Sequence, residues 1–183
     1  MNIFYLHTEP KICAQQHVDK HVVKMILEYA QLLSTTHRFL DGTEILTTSG
    51  AGRKVKRWRL PDERDAILYE ATHIQHPSAI WTRQRDENYV FLWRLLSCLL
   101  EEYTFRYEKI HATSRLFTPL KLLPFNILAG EFSQPTPAMP DEYKVAGDSV
   151  ASYRNYYCGS KSRLFAWKNR QKPDWLTLTE EKI

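Results

Sequence analysis

VDKHVVKMILEYAQLL, residues 18–33, carries one periodicity: Val18, Val22, Met25, Ile26, Tyr29, Leu32 and Leu33 recur at spacings of three and four. At about 100° per residue this places them on one stripe of an α-helix. The helix is expected to start at Thr8-Glu9-Pro10, with Thr8 as cap and Pro10 in the first turn, and to end near Asp41-Gly42. A second core helix follows from Tyr89, Leu92, Trp93, Leu96, Leu99, Leu100 and Tyr103, with Glu101, Glu102 and Arg106 on its other faces. The expected fold class is all-α: one compact helical domain over residues 1–183, two long core helices and a short extended segment at residues 2–6.

Between and beyond these helices the signals are local. Residues 42–65 mix Gly, Thr and Ser with Arg53, Lys54, Lys56, Arg57, Arg59 and Arg64, which reads as a basic surface excursion ordered on binding, with a short helix from Asp62. Pro77 starts a short helix after His76. A helix is expected over residues 113–123, then a rigid proline-rich loop at 131–140. Asp148 should cap a last helical region reaching about Lys168, broken at Gly159.

A chain of 183 residues is long enough to bury a core without disulfides or a structural metal. Its formal charge of +4 is mild, so a polyanion site must come from clustered cations. Cys13, Cys98 and Cys158 form no C-x-x-C pair, which argues against a disulfide framework and a cysteine zinc site. Neither a signal peptide nor a membrane span is read, and the expected compartment is the cytoplasm, that of the host for a phage protein.

Three constellations bear on chemistry. On the first helix, His17, His21, Lys24, Glu28 and Thr35 fall within about 60° of one another, opposite the apolar stripe, with Lys20 at the edge. Imidazoles, ammoniums and a carboxylate together suit phosphate binding and proton transfer. The same spacing also fits a plain surface ion pair of Lys24 with Glu28. His17 and His21 have the i,i+4 spacing of metal ligands, with His73, His76 or Glu28 as a third, but the flanking glutamate of a zincin is missing and no metal or other cofactor is assigned.

The second constellation interleaves Arg154, Tyr157, Lys161, Trp167 and Lys168 near the end of the chain, a mixture suited to phosphates and base faces; the tyrosines are equally consistent with core. The third is His76 at the start of the Pro77 helix, where free N–H groups suit an anion.

Three segments, DKHVVKM from Asp19, HPSAIW from His76, and SYRNYY from Ser152 with FAWKN from Phe165, resemble a tailed-phage protein family. More distantly, AQQH ending at His17 and the Trp167-Lys168 pair resemble the pyrimidine-dimer DNA glycosylase superfamily, whose phage member is a helical endonuclease V. That resemblance implies an amine attacking the sugar of a damaged pyrimidine nucleotide, with a carboxylate assisting. In that family the amine belongs to a small second residue. Asn2 is bulky, so Met1 is expected to be retained, and Lys24 stands where the family has its glutamate.

The expected function is therefore DNA glycosylase/lyase-like, with Lys24, Glu28 and His21 catalytic. His17, Lys20, His76, Arg154, Tyr157, Lys161, Trp167 and Lys168 bind DNA. The alternatives are a non-catalytic protein binding a nucleotide or nucleotide signal, and a histidine-ligated metalloenzyme.

Overall fold

The structure is a computed structural model, and it describes residues 1–176. It is mostly helical, with one small two-stranded sheet, so the all-α expectation is corrected to helix-rich with a hairpin. The chain order is α1 (Pro10–Gln16), α2 (Asp19–Asp41), strands β1 (Thr43–Thr48) and β2 (Lys54–Arg59), α3 (Arg64–Ile67), α4 (Pro77–Gln84), α5 (Asp86–Tyr107) and α6 (Ser149–Tyr156). No helix among the described residues is long and apolar enough to cross a membrane.

The periodic stripe of residues 18–33 does form a helix and its apolar side chains are buried, packing mainly on α5. The single long helix expected from Pro10 is instead broken at His17 and Val18, whose backbones are extended. Arg106 explains the break. Its guanidinium, fully buried, donates to the carbonyls of His17 (2.9 Å) and Gln15 (3.0 Å), and Trp167 donates to that of Gln16 (3.0 Å). Carbonyls that would have continued the helical ladder are thus satisfied from outside it. Arg106 also pairs with Glu102 (2.6 Å) and Asp19 (2.8 Å).

The basic excursion is an ordered antiparallel hairpin, registered from Thr43 opposite Arg59 to Thr48 opposite Lys54. Alternation of side chains leaves Trp58 buried near Phe39 while most of both strands stays exposed. Buried Arg38 spends all five donors here, on the carbonyls of Trp58, Asp65, Leu68 and Tyr69 and on the Asp65 carboxylate. The helix expected at residues 113–123 is two 3-10 turns, Ala112–Leu116 and Pro119–Lys121. Asp148 caps α6 through the Ala151 N–H, but α6 gives way at Tyr157 to a π turn (Tyr157–Lys161) and a 3-10 turn (Ser162–Leu164), short of Lys168.

Gly42, at the joint between α2 and β1, meets the backbone so closely that an added Cβ would lie 2.5 Å from the Arg38 carbonyl oxygen and 3.1 Å from that of Arg59. Backbone cannot yield as a side chain can, so Gly42→Ala is expected to destabilise the fold by about 1–3 kcal/mol. A chemical-denaturation curve unchanged by that substitution would contradict the packing described for this joint.

Candidate functional site

Ile3, Phe4, Tyr5 and Leu6 run through the core beside α2 and α6, all buried. Buried extended backbone without a sheet partner still needs its polar groups paired. Side chains do this. Tyr29 accepts the Phe4 N–H (3.0 Å), the Cys13 thiol donates to the Phe4 carbonyl (3.2 Å) and accepts the Leu6 N–H (3.4 Å), and Arg154 Nε donates to the Leu6 carbonyl (3.0 Å). His17 completes the chain: its Nε2 lies 3.2 Å from the Tyr29 hydroxyl and its Nδ1 2.7 Å from the Cys13 carbonyl. The carbonyl can only accept, so the ring proton sits on Nδ1 and the Tyr29 hydroxyl donates to Nε2.

This arm delivers the amino group of Met1 to the edge of α2, 3.9 Å from Glu28 Oε2. Lys24 Nζ lies 3.2 Å from Glu28 Oε1, one helical turn away. The carboxylate therefore stands between two primary amines of different setting: the Met1 side chain is 4% exposed, that of Lys24 68%, and that of Glu28 13%. His76 belongs to the same neighbourhood. Burial holds its pKa below the usual histidine range, the Met1 ammonium and His73 push the same way, and Glu28 opposes them. Its Nδ1 accepts the Ser78 N–H (3.1 Å), so the neutral ring carries its proton on Nε2. His73 stands at φ +49°, a left-handed backbone that non-glycine residues adopt at a cost of about 1 kcal/mol or more. Thr72 holds it through a 2.6 Å hydroxyl contact to Nδ1, and Thr35 on α2 accepts the Thr72 N–H (3.1 Å).

Of the residues expected to form the site, Lys24 and Glu28 meet, with Met1 joining them, and His76 lies within electrostatic reach of Glu28, Met1 and His73. His21 lies on the same side of α2, stacked on Phe4 (4.2 Å between ring centres) and bonded through Nδ1 to the Tyr157 hydroxyl (2.6 Å). The early helix and the C-terminal stretch thus do converge, but through core contacts. His17 and Tyr157 are fully buried, so neither can meet a substrate at the surface, and the His17–His21 metal geometry fails because each ring is committed to a tyrosine. Among the described residues no group of three or more His, Cys, Asp or Glu is arranged to hold a metal ion.

Arg154 braces the arm, and Trp167, nearly buried, ends α1. The tail residues expected to bind DNA are therefore largely structural, because the arm and the helix break require their donors. Lys161 lies over the Tyr156 ring (4.6 Å) close enough to His21 to lower its pKa, whereas Lys168 lies over Tyr107 (5.4 Å) with its N–H on Asp19. Lys20 is exposed and makes no ion pair among the described residues. A cavity of about 400 Å³ lies beside α1 and the tail, lined by Gln15, Gln16, Arg170 and Lys172 among others. No known family, curated protein or solved structure matches the chain.

Burial pushes three histidines down, His17 to about 4, His21 to about 3 and His37 to about 4, from an ordinary value of 6.5. Below 6.5 the unfolded chain takes up protons that the folded chain refuses. The stability they confer is therefore complete above 6.5 and lost as pH falls toward 4. A loss of about 2 kcal/mol per histidine is expected between pH 7 and pH 5 in urea unfolding, with a shallower loss in His17→Gln. Equal stability at the two pH values would show that these rings are not buried neutral.

Proposed function

We propose that the chain acts on DNA as a glycosylase/lyase of the amine type, directed at a damaged or modified pyrimidine. The observation that carries this reading is the Glu28 carboxylate set between the amines of Met1 and Lys24 on the edge of α2. The nucleophile is assigned to Met1, whose side chain is shielded at the inner side of the carboxylate, and the exposed Lys24 supplies charge toward a phosphate.

In this reading Glu28 takes a proton from the ammonium, and the freed lone pair forms a bond to C1′ of the sugar. The glycosidic C–N bond breaks with its electron pair on the base, which is protonated as it leaves by the proton that Glu28 has taken up. The glycosylamine opens to a Schiff base as O4′ accepts a proton. Loss of a C2′ proton then expels the 3′ phosphate with the C3′–O electrons, cutting the strand. A target base inside a duplex must first leave the stack. The sequence resemblance to the pyrimidine-dimer glycosylases points to the same chemistry, with Glu28 one turn beyond the position of their glutamate.

Borohydride reduction in the presence of ultraviolet-treated duplex, followed by peptide mapping, tests this. The expected product is a covalent adduct on the peptide containing Met1, retained in Lys24→Ala and reduced about 100-fold in Glu28→Gln, in keeping with the usual worth of a positioned proton acceptor. An adduct confined to Lys24 would return the nucleophile to the helix, and none above that of heat-denatured protein would remove the reading.

A further inference from the structure

We propose that the β1–β2 hairpin is a duplex-binding arm, a two-stranded ribbon that enters the major groove of B-form DNA next to the Met1–Glu28 edge. The inference rests on the reading of the chain as DNA-acting and adds to it the surface that holds the duplex.

Between Thr43 and Arg59 the cations are Arg53, Lys54, Lys56, Arg57 and Arg59, and the only acid is Glu44. Protecting an open strand edge from other strands requires charge, but not charge of one sign; a ribbon this one-sided suits a polyanion. The roles divide along the hairpin. At the base, Arg59 meets Glu70 (2.9 Å) and Asp65 (3.7 Å), and Arg57 meets Glu70 (3.8 Å), which ties β2 to the segment leading into His73. Toward the tip, Arg53 and Lys54 are exposed and make no ion pair among the described residues, and Lys56 has only the exposed partner Glu44. Such an exposed pair holds its partner weakly and exchanges readily for a phosphate. Leu46, 65% exposed and opposite Lys56 in register, suits an apolar contact such as a thymine methyl group.

The tip is built rather than loose. The Ser49 N–H donates to Arg53 (2.8 Å), the Gly52 N–H to Ser49 (2.8 Å), and the Arg53 N–H to the Ser49 hydroxyl (3.2 Å), with Gly52 at φ +76°. A surface ordered before binding loses less entropy on binding. The dimensions agree. Six-residue strands span about 20 Å, and a major groove about 12 Å wide admits a two-stranded ribbon. Along α2 the rise from Glu28 to Gly42 is about 21 Å, less than the roughly 34 Å of one duplex turn. The base of the hairpin therefore lies within one duplex turn of the amine edge, measured along the helix. The deep, narrow major groove of an RNA duplex excludes the ribbon.

The test is fluorescence anisotropy with an intact DNA duplex across a salt series, comparing the wild type with a triple Arg53→Ala, Lys54→Ala, Lys56→Ala variant whose fold is checked by its melting curve. Loss of three phosphate contacts should lower the slope of log K against log salt by about 3 and weaken binding at least tenfold at low salt. Glu28→Gln should keep the wild-type slope while losing the borohydride adduct. A wild type that forms the adduct but whose slope the triple variant leaves unchanged overturns the hairpin assignment alone. A wild type that binds no DNA overturns both this and the catalytic reading, and an RNA duplex bound as tightly as DNA overturns the groove assignment.

Discussion

The buried N-terminal arm imposes the constraint from which the rest follows. Extended backbone inside a helical core has no neighbouring strand, so each N–H and C=O needs a side-chain partner or loses the several kcal/mol that hydration gave it. Tyr29, Cys13, His17 and Arg154 are spent on that requirement. Their commitment fixes where the arm runs, and the arm in turn fixes where the amino group of Met1 emerges. The chemistry proposed for Glu28 thus depends on residues that never touch a substrate.

Two buried arginines hold α2 at its ends, with Glu28 between them. Arg106 grips the start, through Asp19 and the carbonyls that end α1, and Arg38 grips the finish, through the loop after the hairpin. Guanidinium groups are costly to bury unless every donor is matched, and breaking one partner leaves the charge stranded. Here the matching is dense: four donations from Arg106 and five from Arg38. Lysine, with a single point charge, could not make this set. The helix is consequently a rigid bar rather than an amphipathic element free to slide, and a site laid along it keeps its spacing.

What the sequence disclosed follows the range of the forces involved. Local periodicity gave the stripe of α2 and the seam of α5, and Pro77 gave the start of α4, because such signals live within one or two turns. The break at His17 was invisible, since its cause, Arg106, is 89 residues away. The hairpin was hidden by its own alternation, in which β2 buries only Trp58 and β1 buries nothing. Helical spacing placed Lys24 beside Glu28, as the surface ion pair that the sequence also allowed, whereas the nearness of His76 to Glu28 was not legible, because a Pro-started helix signals its own start and not its neighbours across the fold. Reading His17 and Tyr157 as ligand contacts failed because a polar side chain on a helix face does not reveal whether water or a buried backbone lies opposite. The apolar run at residues 2–6 was the available clue: a segment that apolar is buried, and burying it forces polar residues inward as its partners.

The interior beside the edge is neutral. His17, just before α2, and His21, on its first turn, both pack against Phe4 of the arm that carries Met1. Burial keeps them uncharged, His21 being pressed further down by His17, Lys161 and Lys24. Glu28 contacts two amines, that of Met1 with its side chain shielded and that of Lys24 exposed. A phosphate approaching the exposed lysine would compete with Glu28 for that ammonium and release the carboxylate toward the amine of Met1. On the chemistry proposed for Glu28, substrate binding would in this way ready the acceptor and give the exposure of Lys24 a part in the reaction.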